Sequence, residues 1–222
     1  MKKFLTILLT LALALVLVGC GEKTTAKPAP ATTAAPAGTT KAPAGTTAKP
    51  EGALPDECKG MLSGKTVYIT TCGQADMDYV PSVLKKIGVS ADTYSSNSML
   101  TAAEVPAGSV VLLMTGTSNK GLGSAGTNVT QEQERARAFV SKAIAGDITL
   151  VLLHFGGSAR RGDLSDPIIR IVAEGASLML VVSGGNSDGL FSDLAQEYSI
   201  TLGTAASAGK MTEPFKVLYN IQ

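Results

Sequence analysis

The chain has 222 residues, 45% of them hydrophobic and 17% charged, with a formal net charge of +1. That is enough for one well-cored domain once processed or linker sequence is set aside. A balance this close to neutral, with no Lys/Arg-rich run, argues against a dedicated nucleic-acid protein, whose affinity comes mainly from phosphate neutralisation. The absence of Trp and the 5% aromatic content weaken the case for base stacking or a sugar platform. Beyond residue 53 there are 13 Lys and Arg against 16 Asp and Glu, a formal charge of −3, so positive groups in the domain matter by position.

At the N-terminus, Lys2 and Lys3 precede a short apolar run from Leu5 to Val18, the layout of a secretory signal and too brief for a comfortable membrane span. The run ends in Leu17-Val18-Gly19-Cys20, which resembles the lipobox of bacterial lipoproteins. The resemblance implies removal of residues 1–19, a diacylglycerol thioether on Cys20, and anchoring to the extracytoplasmic face of a bacterial membrane without spanning it. Residues 20–53 then read as a spacer. From Thr24 to Pro50 they are almost wholly Ala, Thr, Pro, Lys and Gly, with Ala-Pro-Ala-Gly-Thr-Thr at 35–40 and again at 42–47, a composition that buries no core and favours extended conformations.

Residues 54–222 alternate strand and helix signals. Thr66–Thr71, Ser109–Met114, Ile148–Leu153 and Ser177–Val182 are β-rich and apolar on both faces, as parallel strands buried between helix layers are. Val89–Tyr94 and Ile200–Ala205 are edge-like. Val80, Val83, Leu84 and Ile87 form one helical stripe, ended by Gly88; Ala136, Phe139, Val140, Ala143 and Ile144 form another, ended by Gly146 and opened by a Thr130/Gln133 capping box. Asp166 ahead of Pro167 suits a helix start, and Asp188 suits a cap for Leu190–Tyr198. The alternation predicts one three-layer, doubly wound α/β domain, Rossmann-like or flavodoxin-like, with a mainly parallel sheet of about five or six strands.

Ligands in such folds bind beyond the carboxyl ends of the strands, which directs attention to Cys72–Met77, Thr115–Val129, His154–Ser165 and Ser183–Asp188. Gly121-Leu-Gly123-Ser-Ala-Gly126 matches G-x-G-x-x-G, but it starts too late after its strand, precedes its helix and lacks the acidic partner of a dinucleotide fingerprint. Lys120 beside it either takes a phosphate or carboxylate or is a solvated lysine; no P-loop order is present. Gly156-Gly157-Ser158 permits close backbone approach, and Arg160-Arg161 supply planar forks for an anion, unless they lock Asp163, Asp166 or Asp188 in structural ion pairs.

His154, the single histidine, is expected at a strand end, as an acid/base or as a satisfied structural residue. The ligand-binding candidates are therefore Ser118, Asn119, Lys120, Gly121, Gly123, Gly156, Gly157, Ser158, Arg160, Arg161, Asn186 and Asp188. Cys58 and Cys72 are expected to form a disulfide or to be buried thiols, with a nucleophilic Cys72 as a further alternative. Ser158 lacks the nucleophile-elbow context. Asp163, Asp166, Asp188 and Asp193 are better explained as caps and ion pairs than as a cation site. No metal or cofactor is expected.

The segments TGTSNKGLGSAGTN, HFGGSARRGDLSD and GGNSDGLF resemble an uncharacterised family of small bacterial secreted or lipoprotein domains, over Lys65 to the C-terminus. The resemblance carries no activity. The residues themselves point to a tethered domain that binds a small anionic or polar ligand, with a His154-dependent hydrolase or transferase and an envelope protein-interaction domain as alternatives.

Overall fold

The computed structural model describes residues 54–222. The expected signal peptide, Cys20 and the expected spacer therefore lie outside the described residues. Six strands, β1 (Val67–Cys72), β2 (Tyr94–Ser96), β3 (Val110–Thr115), β4 (Thr149–His154), β5 (Ala176–Val182) and β6 (Thr201–Ala205), form one sheet in the order β2-β1-β3-β4-β5-β6. Every pairing is parallel. This is the flavodoxin-like order extended by one strand, and its direction of winding reverses between β1 and β3.

Strand alternation assigns the two faces. Val111, Leu113, Leu150, Leu152, Met179 and Val181 face one core with α3 (Val129–Ile144), α4 (Asp166–Ala173) and α5 (Leu190–Glu197). Val110, Leu112, Met114, Val151, Leu153, Leu178 and Leu180 face the other, with α1 (Tyr79–Lys86) and α6 (Thr212–Tyr219). A short α2 (Asn119–Ala125) occupies the segment expected as a long loop. Among the described residues no helix is long and apolar enough to cross a membrane.

Five of the expected strands lie within one residue of their expected bounds. β1, β3 and β4 continue to Cys72, Thr115 and His154, because a polar residue at a buried strand end can still pair its backbone in the ladder. The expected Val89–Tyr94 strand is displaced: Ala91–Thr93 is a 3-10 turn and β2 is only Tyr94–Ser96. The helix caps move too. Asn128 and Gln131, not Thr130 and Gln133, form the reciprocal capping box of α3. Asn186 accepts from the Phe191 and Ser192 amides at 2.8 and 3.3 Å, while Asp188 accepts from Leu190 at 3.3 Å, so Asn186 is chiefly a cap of α5.

Candidate functional site

The carboxyl ends of β4 and β5 carry a closed polar clasp. Arg161 leaves the 3-10 turn Gly157–Arg160 and binds Asp166 at 2.8 and 3.1 Å and Asp188 at 3.0 and 2.9 Å. It also donates to the Gly185 carbonyl, and its guanidinium carbon lies 5.4 Å from the Phe191 ring centroid. Its side chain is only 10% exposed. Hydrogen bonding to Asp166 holds the guanidinium pKa above its ordinary value, and bonding to Arg161 lowers Asp188 to about 2. Arg161 is thus a structural cross-link between α4 and the β5–α5 turn, with its donors already committed.

His154 sits behind that clasp with 0% exposure. Its ring nitrogens lie 3.1 Å from the Thr115 carbonyl and 3.0 Å from the Gly157 carbonyl, and its ring packs 5.1 Å from Phe191. A Cβ at Gly185 would run into the imidazole at 2.6 Å. Burial lowers the imidazole pKa, against the two carbonyls that raise it. The ring is enclosed on each of these sides, and the geometry lends no support to an acid/base role.

At the β1–β3 switch point the chain fills its own crevice. Gln74 and Thr117 pair as an isolated bridge, and the Ser118 amide donates to Gly73 at 2.9 Å. Ser118 caps α2 by accepting from Gly121 at 3.1 Å, and a Cβ at Gly121 would overlap the Gln74 carbonyl. Gly121 therefore allows α2 to dock on the β1 loop, which explains the glycine without any nucleotide. Gly123 faces open space, while Asn119 and Lys120 are exposed on the first turn of α2.

Arg160 lies across this point. Its stem passes 3.2 Å from where a Cβ of Gly116 would stand, and a Cβ at Gly156 would collide with it and with the Asp76 carboxylate. Its Nε donates to Asp76 at 3.0 Å, and the side chain is 34% exposed. Among the described residues Nη1 and Nη2 make no hydrogen bond. Ser158 is exposed on the same turn.

Beside the Arg160–Asp76 pair a cleft of about 270 Å³ is lined by Thr71, Gln74, Ala75, Asp76, Met77, Asp78 and Ser98. Gln74 and Asp76 hold φ of +59° and +61°, a left-handed conformation that costs a non-glycine residue energy and collects at functional sites. A larger hollow of about 710 Å³ lies at the amino edge, between residues 62–66, 88–93 and Tyr219. Its tyrosine hydroxyl oxygen is buried and closed to anything in the hollow. The smaller cleft lies at the carboxyl end of β1, the edge where ligands of this architecture bind, and is the better candidate.

A family described as a domain of unknown function, DUF6305, matches residues 64–219. The chain belongs to the DUF6305 family. The match runs from just before β1 to the last residue of α6, so it includes all six strands. No curated protein and no solved structure matches the chain.

The DUF6305 domain holds a further polar group that the sequence reading did not single out. Glu132 on α3 is 1% exposed, accepts from the Gly73 amide at 2.8 Å and Gln74 Nε2 at 3.2 Å, and pairs with Arg135 at 2.6 Å. Arg135 donates onward to the Leu100 carbonyl at 3.0 Å and to the Thr71 carbonyl. The pair fixes the end of β1, and with it the left-handed turn that carries Asp76. A signal was present: Glu132 stands four residues before Ala136, on the apolar stripe of α3.

The two cysteines do not form the disulfide held open above. Cys58 belongs to the core on the α1/α6 face and Cys72 to the core on the α3–α5 face, with the sheet between them. Burial pushes the Cys72 thiol up to about 12, the opposite of what a thiolate nucleophile needs. Among the described residues no group of three His, Cys, Asp or Glu is placed to hold a metal.

Proposed function

We propose that this DUF6305 chain is a lipid-anchored lipoprotein on the extracytoplasmic face of a bacterial membrane, and that its domain binds a small anionic or polar ligand at the carboxyl edge of the sheet. The Leu17-Val18-Gly19-Cys20 motif after a basic and apolar leader supports the address. One observation carries the binding reading. Arg160, at the topological switch point, is a third exposed and keeps two terminal nitrogens uncommitted, and its partner Asp76 lines a cleft. A guanidinium fork of this kind suits an oxygen anion in two parallel bonds.

Arg161, Asn186 and Asp188 drop out of this reading as ligand contacts, because each already makes structural bonds. Arg160 reaches the cleft lining through its bond to Asp76, whereas Lys120, exposed on α2, makes no bond to a lining residue among the described residues. Binding by the domain is tested with inorganic phosphate and acetate in thermal-shift and calorimetric titrations. Arg160→Ala is expected to weaken whichever anion binds by about tenfold or more, the usual cost of a lost charge-assisted pair. Equal affinity in the parent and the folded variant would defeat the reading. For the address, Cys20→Ser is expected to shift the protein from the membrane to the soluble fraction, and an unchanged fractionation would reject the anchor.

A further inference from the structure

We infer that the ligand of the Arg160 edge is a zwitterion of amino-acid size, its carboxylate on the Arg160 terminal nitrogens and its ammonium facing Asp76 and Asp78. The inference rests on the reading of Arg160 as the anion-taking group, and it concerns what else the ligand must carry. An oxygen anion that reaches Nη1 and Nη2 arrives beside the Asp76 carboxylate, whose Oδ2 is 3.0 Å from Nε of the same guanidinium. Asp76 is held there: its backbone is in the left-handed region at φ +61°, and Gly156 leaves room for its carboxylate where any side chain would collide.

Asp78 lines a cleft with Asp76, the carboxylate bonded to Arg160, and both carboxylates also border an adjoining hollow of about 340 Å³ with Tyr79 and Ser82. A plain anion therefore meets like charge, and a plain cation meets the guanidinium; juxtaposed like charges reject a partner as effectively as contacts select one. A ligand bearing both charges a few ångströms apart pairs each. Tyr79, 46% exposed at the rim, adds an aromatic face of the sort that attracts an ammonium. The cleft volume of about 270 Å³ falls just under the range of drug-sized pockets, which suits one amino acid.

The experiment titrates the domain, by calorimetry and by amide chemical shifts, with glycine and L-alanine, with their single-charge halves acetate and methylammonium, and with inorganic phosphate. The amino acids are expected to bind at least about tenfold more tightly than either half and to move the amides of residues 73–78. Arg160→Gln is expected to abolish amino-acid and acetate binding alike. Asp78→Asn removes an exposed carboxylate that makes no ion pair among the described residues, so the fold is retained; it is expected to weaken the amino acids about tenfold and to leave acetate unchanged or improved. If acetate or phosphate binds as well as glycine and Arg160→Gln removes it, the zwitterion is overturned while Arg160 keeps its role. If the folded domain binds none of the five probes, both readings fall. Unchanged glycine affinity in Asp78→Asn and in Asp76→Asn also overturns the zwitterion.

Discussion

Arg160 and Arg161 are neighbours in the chain and opposites in the fold. Arg161 turns toward β5 and closes a corner with two carboxylates, a carbonyl and an aromatic ring, at 10% exposure. Arg160 turns toward β1, meets one carboxylate through one nitrogen, and stays 34% exposed. The difference teaches that a doublet of arginines at a sheet edge is not one site. One member holds two connections together, and the other is left with capacity to meet something from outside.

The contrast extends below each arginine. The end of β1, from which Asp76 is presented, is held from beneath by Glu132 and Arg135, and the largest expected effect lies there. Glu132→Ala leaves Arg135 buried without its carboxylate and the Gly73 amide without its acceptor. Breaking a buried pair in this way typically costs about 3 to 5 kcal/mol, to be read from urea unfolding of the parent and the variant. A loss under about 1 kcal/mol would mean that the β1 end does not depend on this pair.

The second expected effect separates the two arginines. Arg161→Ala strands Asp166 and the Gly185 carbonyl; because Asp188 is 60% exposed and regains water, the loss is expected to be about 2 to 3 kcal/mol, below the fully buried case. Arg160→Ala removes a partly exposed single pair and is expected to cost about 1 kcal/mol or less. The comparison breaks if the two variants unfold at the same urea concentration, and it sharpens if only Arg160→Ala changes ligand affinity.

Why the sheet was readable while the site was only half so is a matter of range. Runs such as Val110–Met114 and Leu150–Leu153 are apolar on both faces because helices cover both, and that requirement is written within six consecutive residues. The stripes of α1 and α3 are equally local. α2 was hidden because Gly121 and Gly123 lower helix propensity, and Gly121 is there for a contact with Gln74, 47 positions away in the chain and unseen by any local pattern. The same holds for Arg161, whose partner Asp188 is 27 residues on, and for Arg160, whose partner Asp76 is 84 residues back. The candidate residues were legible as types at one edge. Which of them face each other was decided by pairings between distant loops, so Arg161 became a structural cross-link, Arg160 was left with a single bond, and Asn186 turned out to be a helix cap.

The smallest effect is a pH dependence that the two corners do not share. Bonding to Arg161 lowers Asp188 to about 2, and Asp166 is also lowered, its own burial opposing and the Arg161 bonds prevailing. A carboxyl whose folded pKa lies below its unfolded value of about 3.9 contributes stability that is complete above the unfolded value and is lost as pH falls toward the folded one. His154, lowered chiefly by burial, follows the same sign from a higher start: its neutral form is favoured in the fold, so stability declines as pH falls below about 6.5, where the unfolded imidazole takes up a proton. The unfolding free energy is therefore expected to fall in two stages on acidification, one beginning near pH 6.5 and one between about 4 and 2. Arg161→Ala should flatten the lower stage by returning both carboxyls toward their ordinary values, whereas Arg160→Ala should leave it in place, because Asp166 and Asp188 keep their partner. His154→Gln should remove the upper stage alone. Urea midpoints collected from pH 7.5 down to 2.5 on the parent and the three variants decide it. A lower stage that survives Arg161→Ala would place the acid sensitivity elsewhere and dissolve the distinction between the closed corner and the open one.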